Sequence, residues 1–144
     1  MSIQNYANHR QTVTGFHKVL IPILGLTLIG SLVNLCRSWG DHERIYSASL
    51  IVALTVCLAM ASLFARMFAL KAQDRAIRAE ENLRHLVMTG KLLDSRLSVR
   101  QIIGLRFASD EEFVALARQA ADESLTEDAI KQAVKNWRAD TYRV

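Results

Sequence analysis

The side chains able to do chemistry are few and scattered: histidines at 9, 17, 42 and 85, cysteines at 36 and 57, and the acidic run Asp110-Glu111-Glu112. Clustered carboxylates can ligate metals or shuttle protons. Consecutive residues on a helix point in different directions, however, and acids in a first turn complement the helix dipole, so this run is expected to open a helix. His42-Glu43 lacks the second histidine of a zinc-protease motif, and the sequence contains neither a phosphate-cradling glycine loop nor a nucleophile elbow. His9, His17 and Asp110 are the candidates for catalysis on a lipid, and no partner for any of them is discernible. With Cys57 expected mid-membrane and Cys36 near the outer surface, the two are too far apart in depth for a disulfide and are taken as packing residues. The expectation is a protein that is not an enzyme, with no catalytic residue, cofactor or metal.

The elements around these residues explain the sparseness. Of the 144 residues 51% are hydrophobic and 22% are charged, and the apolar surplus is concentrated in two charge-free runs, Val19 to Leu35 and Ile45 to Ala65. Runs of this length match a hydrocarbon core of about 30 Å at 1.5 Å per residue. The first is longer than a signal peptide's apolar region and is followed by Cys36-Arg37-Ser38-Trp39 rather than a small-residue cleavage site, so it is read as retained. Pro22, near its start, sits where a missing N–H costs little. Lys and Arg crowd the outer flanks of the pair, with Arg10 and Lys18 before it and Arg66, Lys71, Arg75, Arg78 and Arg84 after it, whereas Arg37 and Arg44 in the connection are balanced by Asp41 and Glu43. The positive-inside rule then puts both termini in the cytoplasm. The net charge of +4 reports this orientation: residues 71–144 carry 13 basic and 12 acidic side chains, which disfavours a nucleic-acid partner.

In the second span Ser49, Ala53, Cys57, Ala61 and Ala65 recur every four residues, a ladder that permits close backbone approach. It is expected to pack against the Gly25, Gly30 and Ser31 side of the first span or against a partner. Beyond Arg66 the helical pattern continues without a break to Gly90, with Ala72, Ala76, Ala79, Leu83, Leu86 and Val87 forming an apolar stripe. Such a stripe is normally covered by the tail, a second copy or a membrane surface. Three caps then predict helices over 99–106, 110–123 and 127–138: Ser98 with Gln101, Ser109 with Glu112, and Thr126 with Leu125 and Ile130 around it. A unit this small leans on its neighbours for stability.

The opening Gln4-Asn5-Tyr6-Ala7-Asn8-His9-Arg10, the stretch Gln101-Ile102-Ile103-Gly104-Leu105-Arg106-Phe107-Ala108-Ser109-Asp110-Glu111-Glu112-Phe113, and the ending Trp137-Arg138-Ala139-Asp140-Thr141-Tyr142-Arg143-Val144 together resemble a family of small uncharacterised bacterial two-span membrane proteins. The resemblance covers nearly the whole chain and implies a bacterial membrane protein with a cytoplasmic helical tail; it brings no activity. The expected fold is all-α. It comprises a cytoplasmic arm (1–18), transmembrane helices over 19–36 and 46–66 joined by an external loop (37–45), a juxtamembrane helix (67–90) and a small cytoplasmic helical domain (91–144). Asn5, Tyr6, Asn8 and His9 in the arm, with Trp137, Asp140 and Tyr142 at the other end, are suited to docking on one another or on a partner. The expected function is an accessory or scaffold subunit in the bacterial inner membrane, in contact with lipid and with other membrane subunits or itself; the alternative is a homo-oligomeric pore.

Overall fold

The computed structural model describes residues 4–9 and 12–140. Among them the fold is all-helical. A π-helical segment, Gly15–Leu20, leads into α1 (Ile21–Arg37), followed by α2 (His42–Thr89), α3 (Val99–Leu105), α4 (Asp110–Asp122) and α5 (Glu127–Ala133). The wide turn ends at Leu20, two residues before Pro22, whose ring would crowd the carbonyl four residues earlier in a regular helix. The chain forms two compact units: Thr12–Ala69, and Met1–Gln11 together with Leu70–Val144.

In the Thr12–Ala69 unit, α1 and the first half of α2 are joined by a tight turn and form a hairpin. Ser38 donates its N–H to Asn34, Gly40 takes a left-handed conformation (φ 95°), and the Asp41 carboxylate accepts the Arg44 N–H, opening α2. Helix α2 therefore starts four residues before the expected Tyr46. The covered positions alternate by three and four: Leu24, Leu28, Ser31, Leu35 and Ser38 on α1, and Ala48, Val52, Thr55, Ala59, Ser62, Arg66 and Ala69 on α2. At the open end the Arg66 guanidinium lies 5.8 Å over the Phe16 ring centroid.

This seam differs from the expected ladder. Ser49, Ala53, Cys57, Ala61 and Ala65 are all exposed, Gly25 and Gly30 have nothing within 4 Å of where a Cβ would stand, and of the eight expected packing residues only Ser31 is buried. The reason is helical geometry. Steps of four advance about 40° each at 3.6 residues per turn, so five such residues sweep about 160° around the helix. Alternating steps of three and four hold one seam toward a neighbour.

In the other unit, α2 ends at Gly90, which adopts a left-handed conformation (φ 73°) while its N–H reaches the Leu86 carbonyl. Ser98 and Gln101 form the reciprocal cap of α3, and Thr126 caps α5 through the Ala129 N–H. The shared core is built from Leu93, Leu97, Ile102, Leu105, Phe113, Leu116, Ala117, Ala120, Ile130 and Val134. Gly104 lets α3 approach α5 so closely that an added Cβ would stand 3.1 Å from the Glu127 carbonyl oxygen.

Two local expectations are corrected. Helix α5 stops at Ala133, not 138, because residues 135–138 pair elsewhere: the Glu112 carboxylate accepts the Lys135 and Asn136 N–H groups at 3.1 and 3.0 Å, and Trp137 forms a β-bridge with Ala108. The same pairing dissolves the cap expected at Ser109. Its N–H, which Glu112 would have accepted in a reciprocal cap, donates to the Asn136 carbonyl at 3.0 Å, and its side chain makes no capping bond.

Candidate functional site

The amino-terminal arm and the end of the tail meet, and both strands of that contact follow from local sequence. In the arm, Asn5 and Asn8 fold a turn on themselves. The Asn5 side-chain oxygen accepts the Ala7 and Asn8 N–H groups at 2.9 and 3.2 Å, and that of Asn8 accepts the Asn5 N–H at 2.6 Å. This is the ordinary chemistry of asparagine in turns. Asn5 and Asn8 thus shape the arm, and both are exposed. The turn presents Tyr6 and His9, whose rings stack at 5.6 Å. His9 Nδ1 stands 2.6 Å from the Tyr6 carbonyl oxygen, which can only accept, so that nitrogen carries the proton.

The receiving surface is centred on Phe107, which is fully buried. The Trp137 ring packs on it at 4.8 Å between centroids, and His9 contacts both rings, at 5.8 Å from Phe107 and 5.9 Å from Trp137. The Arg106 guanidinium lies 4.6 Å over the Phe107 centroid and the Lys131 ammonium 5.9 Å from it. The β-bridge fixes this arrangement, since Arg138 donates its N–H to the Phe107 carbonyl at 2.8 Å. Polar bonds close the edges. Gln4 pairs with the Asp140 backbone in both directions, accepting its N–H at 2.7 Å and donating to its carbonyl at 3.4 Å. Gln132 donates to the Tyr6 hydroxyl at 3.2 Å, and Arg106 forms an ion pair with Asp140 at 3.2 Å.

A second constellation ties α2 to the same domain. Arg84 bonds Glu81 at 3.0 Å, Asp110 at 2.5 Å and the Ala108 carbonyl at 2.8 Å, and its guanidinium lies 4.2 Å over Phe113. Arg138 approaches the far oxygen of Glu81 at 3.8 Å. Glu81 is buried and forms ion pairs with both cations. Asp110, the first of the acidic run, serves as an ion-pair partner at the mouth of α4. At the α2–α3 connection Arg96 bridges Asp94 and Asp122 at 2.7 and 2.9 Å. The Arg96 side chain and backbone N–H hold the Asp94 carboxyl at about 2, below its ordinary 3.8, and the carboxylates push the Arg96 pKa upward.

Of the residues singled out from sequence for docking, Tyr6, His9, Trp137 and Asp140 come together in one contact, and Tyr142 lies outside the described residues. Sequence reasoning missed Gln4, Phe107, Arg106 and Gln132. Phe107 looked like core; the available signal was a basic residue beside an aromatic just after a helix. Arg84 was counted only toward the membrane-proximal charge.

Comparison with known proteins identifies a family. The family model described as "Family of unknown function (DUF6526)" matches residues 1–144. The chain belongs to DUF6526. No curated protein and no solved structure matches this member of DUF6526.

Proposed function

We propose that this DUF6526 protein is a non-enzymatic integral membrane protein of the bacterial inner membrane, with both termini in the cytoplasm, that acts as an accessory or scaffold subunit of a larger membrane assembly. One observation carries the membrane part. The helical segments Gly15–Arg37 and His42–Thr89 are each long and apolar enough to cross a bilayer, and only 11% of the apolar window in each is buried. Leu26, Ile29, Leu54 and Leu63 are more than half exposed. Side chains of this kind facing water would cost about 25 cal/mol per Å² of apolar surface, a cost that lipid removes.

The arm precedes the first apolar helix and the tail follows the second, and they form one unit, which supports placing both on the same side of the membrane. The positive-inside rule makes that side the cytoplasm. The scaffold reading is favoured over a pore because no Asp, Glu, Lys, Arg or His falls within Val19 to Leu35 or Ile45 to Ala65, where an ion path usually places ionisable side chains.

Two measurements test the proposal. In a cysteine-free background, Trp39→Cys in the connection should react with a membrane-impermeant maleimide added to intact cells, whereas Thr126→Cys in the tail should react only after lysis; the reverse pattern would refute the orientation. Purification in mild detergent followed by mass spectrometry should return a reproducible subunit. A strictly monomeric protein without a partner would refute the scaffold role.

A further inference from the structure

Beyond Leu70, helix α2 presents two distinct sides. Ile77, Glu81 and Arg84 are turned to the tail domain. Roughly 150° away at 3.6 residues per turn lies a second stripe, Ala72, Ala76, Ala79, Leu83 and Leu86, spaced by four, three, four and three. All five are exposed, Leu83 at 60%, and Val87 beside them at 79%. The spacing is that of a coiled-coil seam, with Ala76 and Leu83 at a positions and Ala72, Ala79 and Leu86 at d positions. The tail domain meets the b and f positions and, near the end of the helix, Asn82 at g, which accepts the Leu93 N–H at 3.3 Å, and His85 at c, which packs on Phe113; the a and d positions stay exposed.

We propose that this seam pairs with the same seam of a second copy of the chain in a parallel, in-register two-stranded coil. The flanking charges choose the occupant and the direction. In the register set by the apolar stripe, Arg75 falls at g and Glu80 at the following e. A g residue in a parallel coil faces the e residue five positions on in the other helix, so Arg75 of each copy meets Glu80 of the other, twice by symmetry. Both side chains are exposed, and among the described residues neither has an ion pair or side-chain hydrogen bond within its own chain. An antiparallel pairing sets g against g and e against e and forms no such bond.

The inference rests on the membrane reading. Two heptads with alanine at three of five seam positions bury little surface, and two copies inserted with one orientation supply both the local concentration and the parallel direction that the coil needs. The Ala72–Leu86 seam is separate from the small-residue ladder of the apolar span and from the contact between arm and tail.

The test uses the full chain in phospholipid vesicles, in a background with Cys36→Ser and Cys57→Ser. Flotation of the vesicles reads insertion. Oxidative crosslinking of the Ala79→Cys variant should give a disulfide-linked homodimer, whereas Arg78→Cys, at an outer c position, should not crosslink. With Ala79→Cys as reporter, Arg75→Glu or Glu80→Arg alone should lower dimer yield about fivefold, since each places two like-charged pairs across the seam. The double reversal should restore it. A variant that does not float refutes the membrane reading and the dimer with it. One that floats without forming the dimer, crosslinks to a different polypeptide, or is not rescued by the double reversal refutes the dimer alone.

Discussion

Removing the Arg84 charge should open the tail domain more than any other single change on the α2 face, and the reason lies in Glu81. The two side chains are 11% and 6% exposed, so solvent screens their pairing little. In Arg84→Met the Glu81 carboxylate keeps, among the described residues, Arg138 alone at 3.8 Å, and the Ala108 carbonyl loses the Arg84 donor. Stranding a buried charge costs about 3–5 kcal/mol. The lost bond to Asp110 adds little, since that side chain is 75% exposed. In the double variant Glu81→Leu/Arg84→Met no buried charge remains, and the deficit should shrink to about 1–2 kcal/mol, mainly the unpaired Ala108 carbonyl. The double variant should therefore be more stable than Arg84→Met alone, a strongly non-additive result. Amide hydrogen exchange of Phe113 and Ile130 in the micelle-bound protein reads the opening free energy of this core. If Arg84→Met costs under about 1 kcal/mol, or if the double variant is no better than the single, the assignment of Glu81 as a charge held by Arg84 is wrong.

Other contacts give further tests. Trp137→Ala removes the ring shared by Phe107 and His9 and should cost about 3 kcal/mol while making the amino-terminal arm markedly more sensitive to limited proteolysis. Gly104→Leu should destabilise the tail by about 1–3 kcal/mol in thermal unfolding, because the Glu127 carbonyl at 3.1 Å is backbone and cannot yield; Gly104→Ala should cost less, the better helix former offsetting about 1 kcal/mol. Asp94 has a folded pKa below its ordinary value, so its pairing with Arg96 stabilises the fold fully above about 4 and is lost as the pH falls toward about 2. The Asp94 carboxyl carbon, followed by NMR, should titrate near 2 in the native protein and move up toward 3.8 in Arg96→Gln.

Legibility in the sequence tracked the range of the interaction. The starts of α3 and α5 depend on side chains within three residues of the bonds they make, Ser98 with Gln101 and Thr126 with Ala129, and could be read directly. The end of α5 depends on Glu112, more than twenty residues away, and the helical pattern through Trp137 gave no hint that Lys135 and Asn136 would be drawn off. The same long-range bond disabled the local cap at Ser109, a case of tertiary pairing overriding a correct local motif. In the hairpin, residue type misled. Small side chains every four residues suggested a packing face, but the covered seam mixes Leu24, Thr55 and Ala48 and is defined by period rather than by size. The arm was recognisable as a candidate docking element because amides, an aromatic and an imidazole fall within six residues. Its counterpart was hidden because Phe107 serves the core and the arm at once.

The contact between arm and tail also constrains what the hairpin can do. Gln4, Tyr6 and His9 are joined to Asp140, Gln132 and Trp137 by direct bonds and ring contacts, and between them the chain runs through both apolar helices. Any bilayer that those helices cross must therefore be crossed twice, leaving arm and tail on one side, or the contact must break. Orientation and tail folding are thereby linked. An arm carried to the opposite side by a changed charge balance would leave Phe107 and Trp137 without the His9 ring and Asp140 without Gln4. If the helices cross a bilayer as proposed, the contact between arm and tail favours the two-span arrangement over a single crossing, a restraint independent of the flanking charges.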